Sequence, residues 1–161
     1  MIDYRVYLVT DDPSRYPCNW LDNVVGAVEG GVTCVQYRDT ESAPAVRLER
    51  VRRLQDALKP RSVPLVINND PDLAAAVHAE GLHVGQSDMP PLEARKIVGP
   101  DCEIGLSITS PVQLATAQGA DAYGIGPVFD ARATKADAAD ALGLAICHIH
   151  SNTKFNPSTP I

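Results

Sequence analysis

The feature that most constrains this chain is a local plan that occurs three times. The segments are EGGVTCVQYR at 29–38, AEGLHVGQSD at 79–88 and QGADAYGIGP at 118–127. In each, glycine follows a helix-like stretch, a short apolar strand comes next, and polar or glycine residues stand at the end of that strand. Strict alternation of strand and helix predicts a parallel sheet, because each crossover helix returns the chain to begin the next strand in the same direction.

The rest of the chain extends this pattern. Short runs rich in apolar or β-branched residues predict strands at 5–9, 32–37, 63–68, 82–84, 103–107 and 122–125. Helical spacing predicts helices at 20–28, 44–58, 71–78, 91–98, 111–117 and 136–147. Several of these begin at proline, and Asp70 and Ser110 directly precede such prolines as predicted N-caps.

Composition excludes several classes of protein. The 161 residues fit one domain, and a net charge of −6 argues against a nucleic-acid surface. No apolar run is long enough to cross a bilayer, and the first residues lack a signal-peptide pattern, so the expected location is the cytoplasm. The four cysteines form no CxxC pair, which indicates neither a zinc site nor a disulfide framework.

One basic run occurs, in the predicted helix 44–58. Leu48, Val51, Leu54 and Leu58 form an apolar stripe there, which leaves four arginines for the outer face: Arg47, Arg50, Arg52 and Arg53. We expect these arginines to be merely solvated.

Polar side chains gather where the predicted strands end. In parallel α/β sheets the ligand site lies beyond the C-terminal strand ends, so we expect these groups to meet at one rim: Thr10, Asp11, Gln36, Arg38, Asn68, Asn69, Gln86, Asp88, Ser107 and the loop 124–135. Arg38 could clamp a phosphate, Lys135 could add a mobile charge, and Asp88 could hold Mg²⁺. The rim therefore suits an anionic, metal-bound ligand.

Five segments, in this order and spacing, resemble the thiamine phosphate synthase (thiamine-phosphate pyrophosphorylase) family from about residue 7 to residue 143: GGVTCVQYRD, LVINND, LHVGQSDMP, IGLS, and GIGPVF followed by TKADA. The resemblance implies a (β/α)₈ TIM barrel in thiamine biosynthesis. It also implies a transferase that joins hydroxymethylpyrimidine diphosphate to thiazole phosphate, releasing pyrophosphate with the help of Mg²⁺.

The resemblance also implies roles for individual residues. Arg38 and Lys135 would stabilise the departing pyrophosphate and so act catalytically. The substrate-binding set would be Gln36, Arg38, Asn68, Ser107, Thr134 and Lys135, and the metal ligands Asp88 and Asn69. Two positions depart from the family pattern. Thr40 stands where a lysine is usual, and Asn69 replaces an aspartate, which exchanges a charged Mg²⁺ ligand for a neutral amide.

The end of the sequence carries a further expectation. Residues 151–161 resemble the loop that leads into the seventh strand of the family. We therefore expect residues 1–161 to form a single incomplete barrel with about six β-α units and without strands seven and eight. The phosphate site of such barrels is commonly built by the loops after those strands, so we expect little or no turnover from this chain alone. Exposed sheet edges would also favour a homo-oligomer.

Three alternatives stay open. A thiazole tautomerase shares the fold, although it carries histidine where this chain has Pro127. A phosphoacceptor receiver domain could use Asp11, Asp12 and Lys135, but it needs an aspartate where Asn68 and Asn69 stand. The third is a non-catalytic fragment that folds only in an oligomer.

Overall fold

A computed structural model describes residues 1–13 and 19–126. Thr134, Lys135, Pro127, the predicted helix 136–147 and the segment 151–161 lie outside the described residues. The strands are β1 (Tyr7–Val9), β2 (Cys34–Tyr37), β3 (Leu65–Asn68), β4 (Gly81–Val84), β5 (Glu103–Ile108) and β6 (Ala122–Ile125). The helices are α1 (Trp20–Glu29), α2 (Pro44–Leu58), α3 (Pro71–Val77), α4 (Pro91–Val98) and α5 (Pro111–Thr116), and a short 3₁₀ turn, Lys59–Arg61, follows α2.

The six strands form one sheet in chain order, and each neighbouring pair is parallel. A single cavity touches residues from all six strands, so the sheet curves into a half-barrel with a concave face. The predicted α/β class is therefore confirmed.

Three strands begin two residues later than predicted: β1 at Tyr7, β2 at Cys34 and β3 at Leu65. At the first strand the local cause is visible. That strand begins at Tyr7 rather than at residue 5. The Asp3 carboxylate accepts hydrogen bonds from the Arg5 backbone amide and from its guanidinium, which holds residues 5 and 6 in a turn. A local side-chain contact thus competes with extension of the strand.

The main core lies between the convex face of the sheet and the helices. Alternate strand residues supply it, among them Val35, Tyr37, Ile67 and Leu82, and α2 adds Val51, Leu54 and Leu58. A second, small cluster of Ile2, Cys34 and Val66 fills the concave face near the N-terminal ends of the strands. Because side chains alternate across a strand, the apolar outer set leaves the inner positions available for polar groups nearer the strand ends.

Both predicted caps are confirmed. Asp70 accepts a hydrogen bond from the Leu73 amide at 2.9 Å and Ser110 accepts one from the Gln113 amide at 3.4 Å. Within the described residues, none of the helices has the length and apolar content required to span a bilayer.

The prediction for the α2 arginines is wrong at two of the four positions. Arg52 and Arg53 are exposed, as expected. Arg47, however, pairs with Asp70 and Arg50 pairs with Asp39, each at 2.9 Å. Both acceptors lie on loops that the fold brings against the helix, and the helical periodicity of α2 carries no information about them.

Candidate active site

A cavity of about 390 Å³ lies on the concave face of the sheet, toward the C-terminal strand ends. Every strand contributes to its wall: Tyr7 and Val9 from β1, Gln36 from β2, Asn68 from β3, His83 from β4, Gly105 and Ser107 from β5, and residues 122–125 from β6, with Arg38 just beyond β2. Four of the residues predicted to bind substrate, Gln36, Arg38, Asn68 and Ser107, therefore share one cavity.

Gln36 forms the buried part of this wall. It is only 4% exposed, and its amide nitrogen donates to the Tyr7 hydroxyl at 2.5 Å. Burial raises the pKa of Tyr7 well above its usual range, so the hydroxyl stays neutral. The contact orients the Gln36 amide before any ligand arrives. Tyr7 was not among the predicted site residues, although strand alternation places it on the same face as Val9 and opposite Leu8.

Arg38 forms the charged rim. Its side chain is 46% exposed and lies 3.7 Å from an Asp11 carboxylate oxygen. Such an exposed pair contributes little to stability, so the guanidinium can exchange this partner for a phosphate at small cost. The backbone is held more firmly, because the Arg38 amide donates to the hydroxyl of buried Thr10 at 3.0 Å.

His83 and Ser107 form the opposite wall. The His83 Nε2 atom lies 2.9 Å from the Ser107 hydroxyl, and the Gln86 amide donates to the Ser107 carbonyl at 2.6 Å. Burial lowers the pKa of His83, although the nearby Asp88 charge acts in the opposite direction. A neutral imidazole can donate to or accept from the serine hydroxyl, so both side chains are held in place.

The two predicted metal ligands do not line this cavity. Asp88 borders an adjacent groove with Gly85 and Gln86, and one of its carboxylate oxygens accepts the Gly85 amide at 2.6 Å. Asn69 is exposed and has a left-handed backbone, with φ of 59°. Its backbone amide donates to the backbone carbonyl of His83 at 2.9 Å, so the chain after β3 runs beside β4, the strand that Asp88 follows.

The oxygen donors of Asp88 and Asn69 can be compared with the ligands that Mg²⁺ prefers. Within residues 1–13 and 19–126, no three His, Cys, Asp or Glu side chains cluster as a metal cage. Mg²⁺ usually takes one or two carboxylates, with phosphate oxygens and water completing its octahedron. By donor chemistry alone, Asp88 offers one carboxylate and Asn69 one amide oxygen, so phosphate oxygens and water would have to supply the remaining ligands.

Fold and site together define a class. This is a parallel α/β half-barrel that presents amide, guanidinium, imidazole and hydroxyl groups at the carboxyl ends of its strands. Proteins of this class bind their ligands at that edge, and many of those ligands carry a phosphate group.

Comparison with known proteins identifies the family. The family model described as thiamine monophosphate synthase matches residues 6–158. A thiamine-phosphate synthase from Azorhizobium caulinodans is 44% identical over 144 residues, which cover 88% of this chain and 68% of the relative. A thiamine-phosphate synthase from Vibrio parahaemolyticus is 41% identical over 161 residues, which cover 98% of this chain and 78% of the relative. A solved thiamine phosphate pyrophosphorylase from Pyrococcus furiosus is 31% identical, with a TM-score of 0.65.

The chain belongs to the thiamine monophosphate synthase family. It spans about two thirds of the length of the Azorhizobium relative. The structural match to the Pyrococcus furiosus protein covers 77% of this chain and 60% of that protein. The predicted family is confirmed, and the predicted function, that of a thiamine phosphate synthase-like transferase, agrees with the names of these relatives. None of these relatives supports the tautomerase or receiver-domain alternatives.

Proposed function

We propose that this chain works as a thiamine-phosphate synthase and holds a pyrimidine diphosphate in the concave cavity. The observation that carries the proposal is the convergence of Gln36, Arg38, Asn68 and Ser107 around one cavity. These residues come from three separate segments of the chain: the end of β2, β3 and β5. Membership of the family and the names of the relatives support the same function.

The environments of three of these side chains suggest a division of roles. Gln36 and Ser107 are held by Tyr7 and His83, so they suit hydrogen bonding to a neutral pyrimidine ring. Arg38 lies at the exposed rim and suits the diphosphate, to which a guanidinium can donate two parallel hydrogen bonds. We propose that Lys135 supplies a second positive charge to that group and that Thr134 hydrogen-bonds to it.

The chemistry then needs charge stabilisation rather than a protein nucleophile. The bond between the pyrimidine methylene carbon and the diphosphate oxygen breaks, and both electrons leave with pyrophosphate. The thiazole nitrogen donates its lone pair to the methylene carbon and becomes the quaternary nitrogen of the product. Positive side chains at the leaving group lower the barrier, because negative charge grows there as the bond breaks. When bound by Asp88 and Asn69, Mg²⁺ would neutralise more of that charge.

We further propose that the six strands correspond to the first six of an eight-stranded barrel and that residues 1–161 form one domain. The likeness to the Pyrococcus furiosus structure over 60% of its length supports this correspondence. The expectations of low turnover by the chain alone, a cytoplasmic location and a homo-oligomer stay predictions.

The proposal is tested first by binding. Titration calorimetry with pyrophosphate and Mg²⁺ would compare the wild-type chain with Arg38→Gln and with Arg53→Gln, an exposed control on α2. Charge-assisted hydrogen bonds contribute about 1.5–3 kcal/mol, so Arg38→Gln should weaken binding by about 10- to 150-fold. The control should bind as wild type does. Equal affinity in all three proteins, or no binding by the wild type, would refute the proposed site.

Turnover is measured separately, by mixing the chain with the pyrimidine diphosphate and thiazole phosphate and following the release of pyrophosphate. Binding without turnover would agree with the expectation that this chain alone is inactive. Product formation at ordinary rates would overturn that expectation and leave the proposed function standing.

A further inference from the structure

A buried ion pair on the outer side of the sheet lies directly behind the charged rim of the cavity. The Asp39 side chain is fully buried, and the Arg50 side chain is 25% exposed. The Arg50 Nη1 atom donates to Asp39 at 2.9 Å and to the Ser42 hydroxyl at 2.6 Å. Neither Arg50 nor Asp39 lines the cavity. Any effect of this ion pair on a ligand in the cavity must therefore be indirect.

The Asp39 carboxylate connects this pair to the whole loop after β2. One oxygen accepts from the Tyr37 hydroxyl at 2.8 Å as well as from Arg50, and the other accepts from the backbone amides of Ser42 at 3.0 Å and Glu41 at 3.3 Å. Burial acts to raise the pKa of Asp39, but the hydrogen bonds from Ser42, Tyr37 and Arg50 outweigh it and hold that pKa below its usual value. The carboxylate is thus charged and fully engaged in ordering the loop.

Arg38 is the residue immediately before this carboxylate. Because neighbouring side chains point to opposite sides of an extended chain, anchoring Asp39 behind the sheet directs Arg38 into the cavity. Among residues 1–13 and 19–126, the Arg38 guanidinium has only a 3.7 Å contact with Asp11 to hold it in place, so its position depends on the backbone that carries it. A misplacement of about 1 Å can reduce the efficiency of such a group roughly a hundredfold.

We propose that Arg50 is a positioning residue: by neutralising and holding Asp39, it fixes the loop after β2 and so places Arg38 against the diphosphate. This inference rests on the proposed function only for the identity of the ligand. Arg47, one turn earlier in α2, binds Asp70 and so contacts the next loop instead. That makes Arg47 an internal control for the specificity of the effect.

The experiment compares Arg50→Ala and Arg50→Lys with Arg47→Ala and Arg53→Ala in the full chain. The first readout is hydrogen exchange, measured by NMR, of the Ser42 and Arg38 amides. Arg50→Ala should speed exchange at both amides roughly tenfold or more, because the loop loses its anchor. Arg50→Lys keeps the charge and should restore part of the protection. Arg47→Ala and Arg53→Ala should leave these two amides unchanged.

The second readout is the dissociation constant for pyrophosphate with Mg²⁺. Arg50→Ala should raise it roughly tenfold or more, Arg50→Lys by less, and Arg53→Ala not at all. Unchanged exchange in Arg50→Ala overturns the proposal, and so does faster exchange with unchanged affinity. If Arg50→Ala fails to fold, the same two measurements, amide exchange and pyrophosphate affinity, are made on Arg50→Lys and judged in the same way.

Failure of the proposed function gives a different pattern. In that case the wild-type chain does not bind pyrophosphate or the pyrimidine diphosphate, whatever residue 50 is. The exchange rates then decide the inference by themselves: faster exchange at Arg38 and Ser42 in Arg50→Ala supports it, and wild-type rates refute it.

Discussion

The His83 ring packs so closely over Gly105 that one added methyl group should disturb the cavity wall. A Cβ atom built on Gly105 would lie 2.6 Å from the His83 Nδ1 atom and 3.4 Å from Cε1. On the neighbouring strand β6, a Cβ atom at Gly124 would lie 3.2 Å from the same ring. The absence of side chains at these two positions makes room for the imidazole, so Gly105→Ala is the perturbation that tests this packing.

The size of the effect follows from these distances. Ordinary contact begins at 3.4 Å, so the ring must retreat by about 0.8 Å from a Cβ atom at 2.6 Å. A displacement of that size away from Ser107 would lengthen the 2.9 Å hydrogen bond beyond its normal range. Overpacking costs about 1–3 kcal/mol and the lost hydrogen bond about 1 kcal/mol, so Gly105→Ala should lower the free energy of unfolding by about 2–4 kcal/mol.

The assay is urea denaturation followed by circular dichroism, together with NMR titration of His83. Gly26→Ala is the matched control, because Gly26 lies within α1 and a Cβ atom there would meet nothing within 4 Å. That control should stabilise the chain by about 0.5–1 kcal/mol. The pKa of His83 should move up toward its usual value in Gly105→Ala as the ring becomes better solvated. Unfolding free energies equal to wild type, with an unchanged pKa, would refute the packing argument.

Three further predictions concern stability. The folded-state pKa of Asp39 is lower than its usual value of 3.8, so the ionised carboxylate contributes its full stabilisation above pH 3.8 and loses it as the pH falls through the folded-state pKa. Asp39→Asn should therefore show a smaller loss of unfolding free energy between pH 5 and pH 3 than the wild type does in urea titrations. The lowered pKa of His83 favours proton uptake by the unfolded chain, so stability should fall as the pH drops below 6.5, and His83→Gln should flatten that slope in thermal melts. Asp70→Ala, which loses both a cap and the bond to Arg47, should cost about 1–2 kcal/mol by urea denaturation, more than Ser110→Ala.

Much of the candidate site could be predicted from where polarity appears along the chain. Polar residues after short apolar runs indicated the strand ends, and the parallel order then required Gln36, Arg38, Asn68 and Ser107 to share an edge. The structure places all four on one cavity. Asp88 and Asn69 lie at the same edge but outside that cavity, because the Gly85 amide engages Asp88 within its own turn and Asn69 turns away from β3 with a positive φ.

The sequence by itself determined the strand and helix pattern, since alternation and helical spacing are local properties that each segment carries. Only the tertiary structure decided which distant groups meet. Arg50 and Asp39 are 11 residues apart, and His83 and Ser107 are 24 apart. Their contacts depend on how the sheet curves and where each loop crosses a helix, and both are set by the packing of the whole core rather than by any one segment.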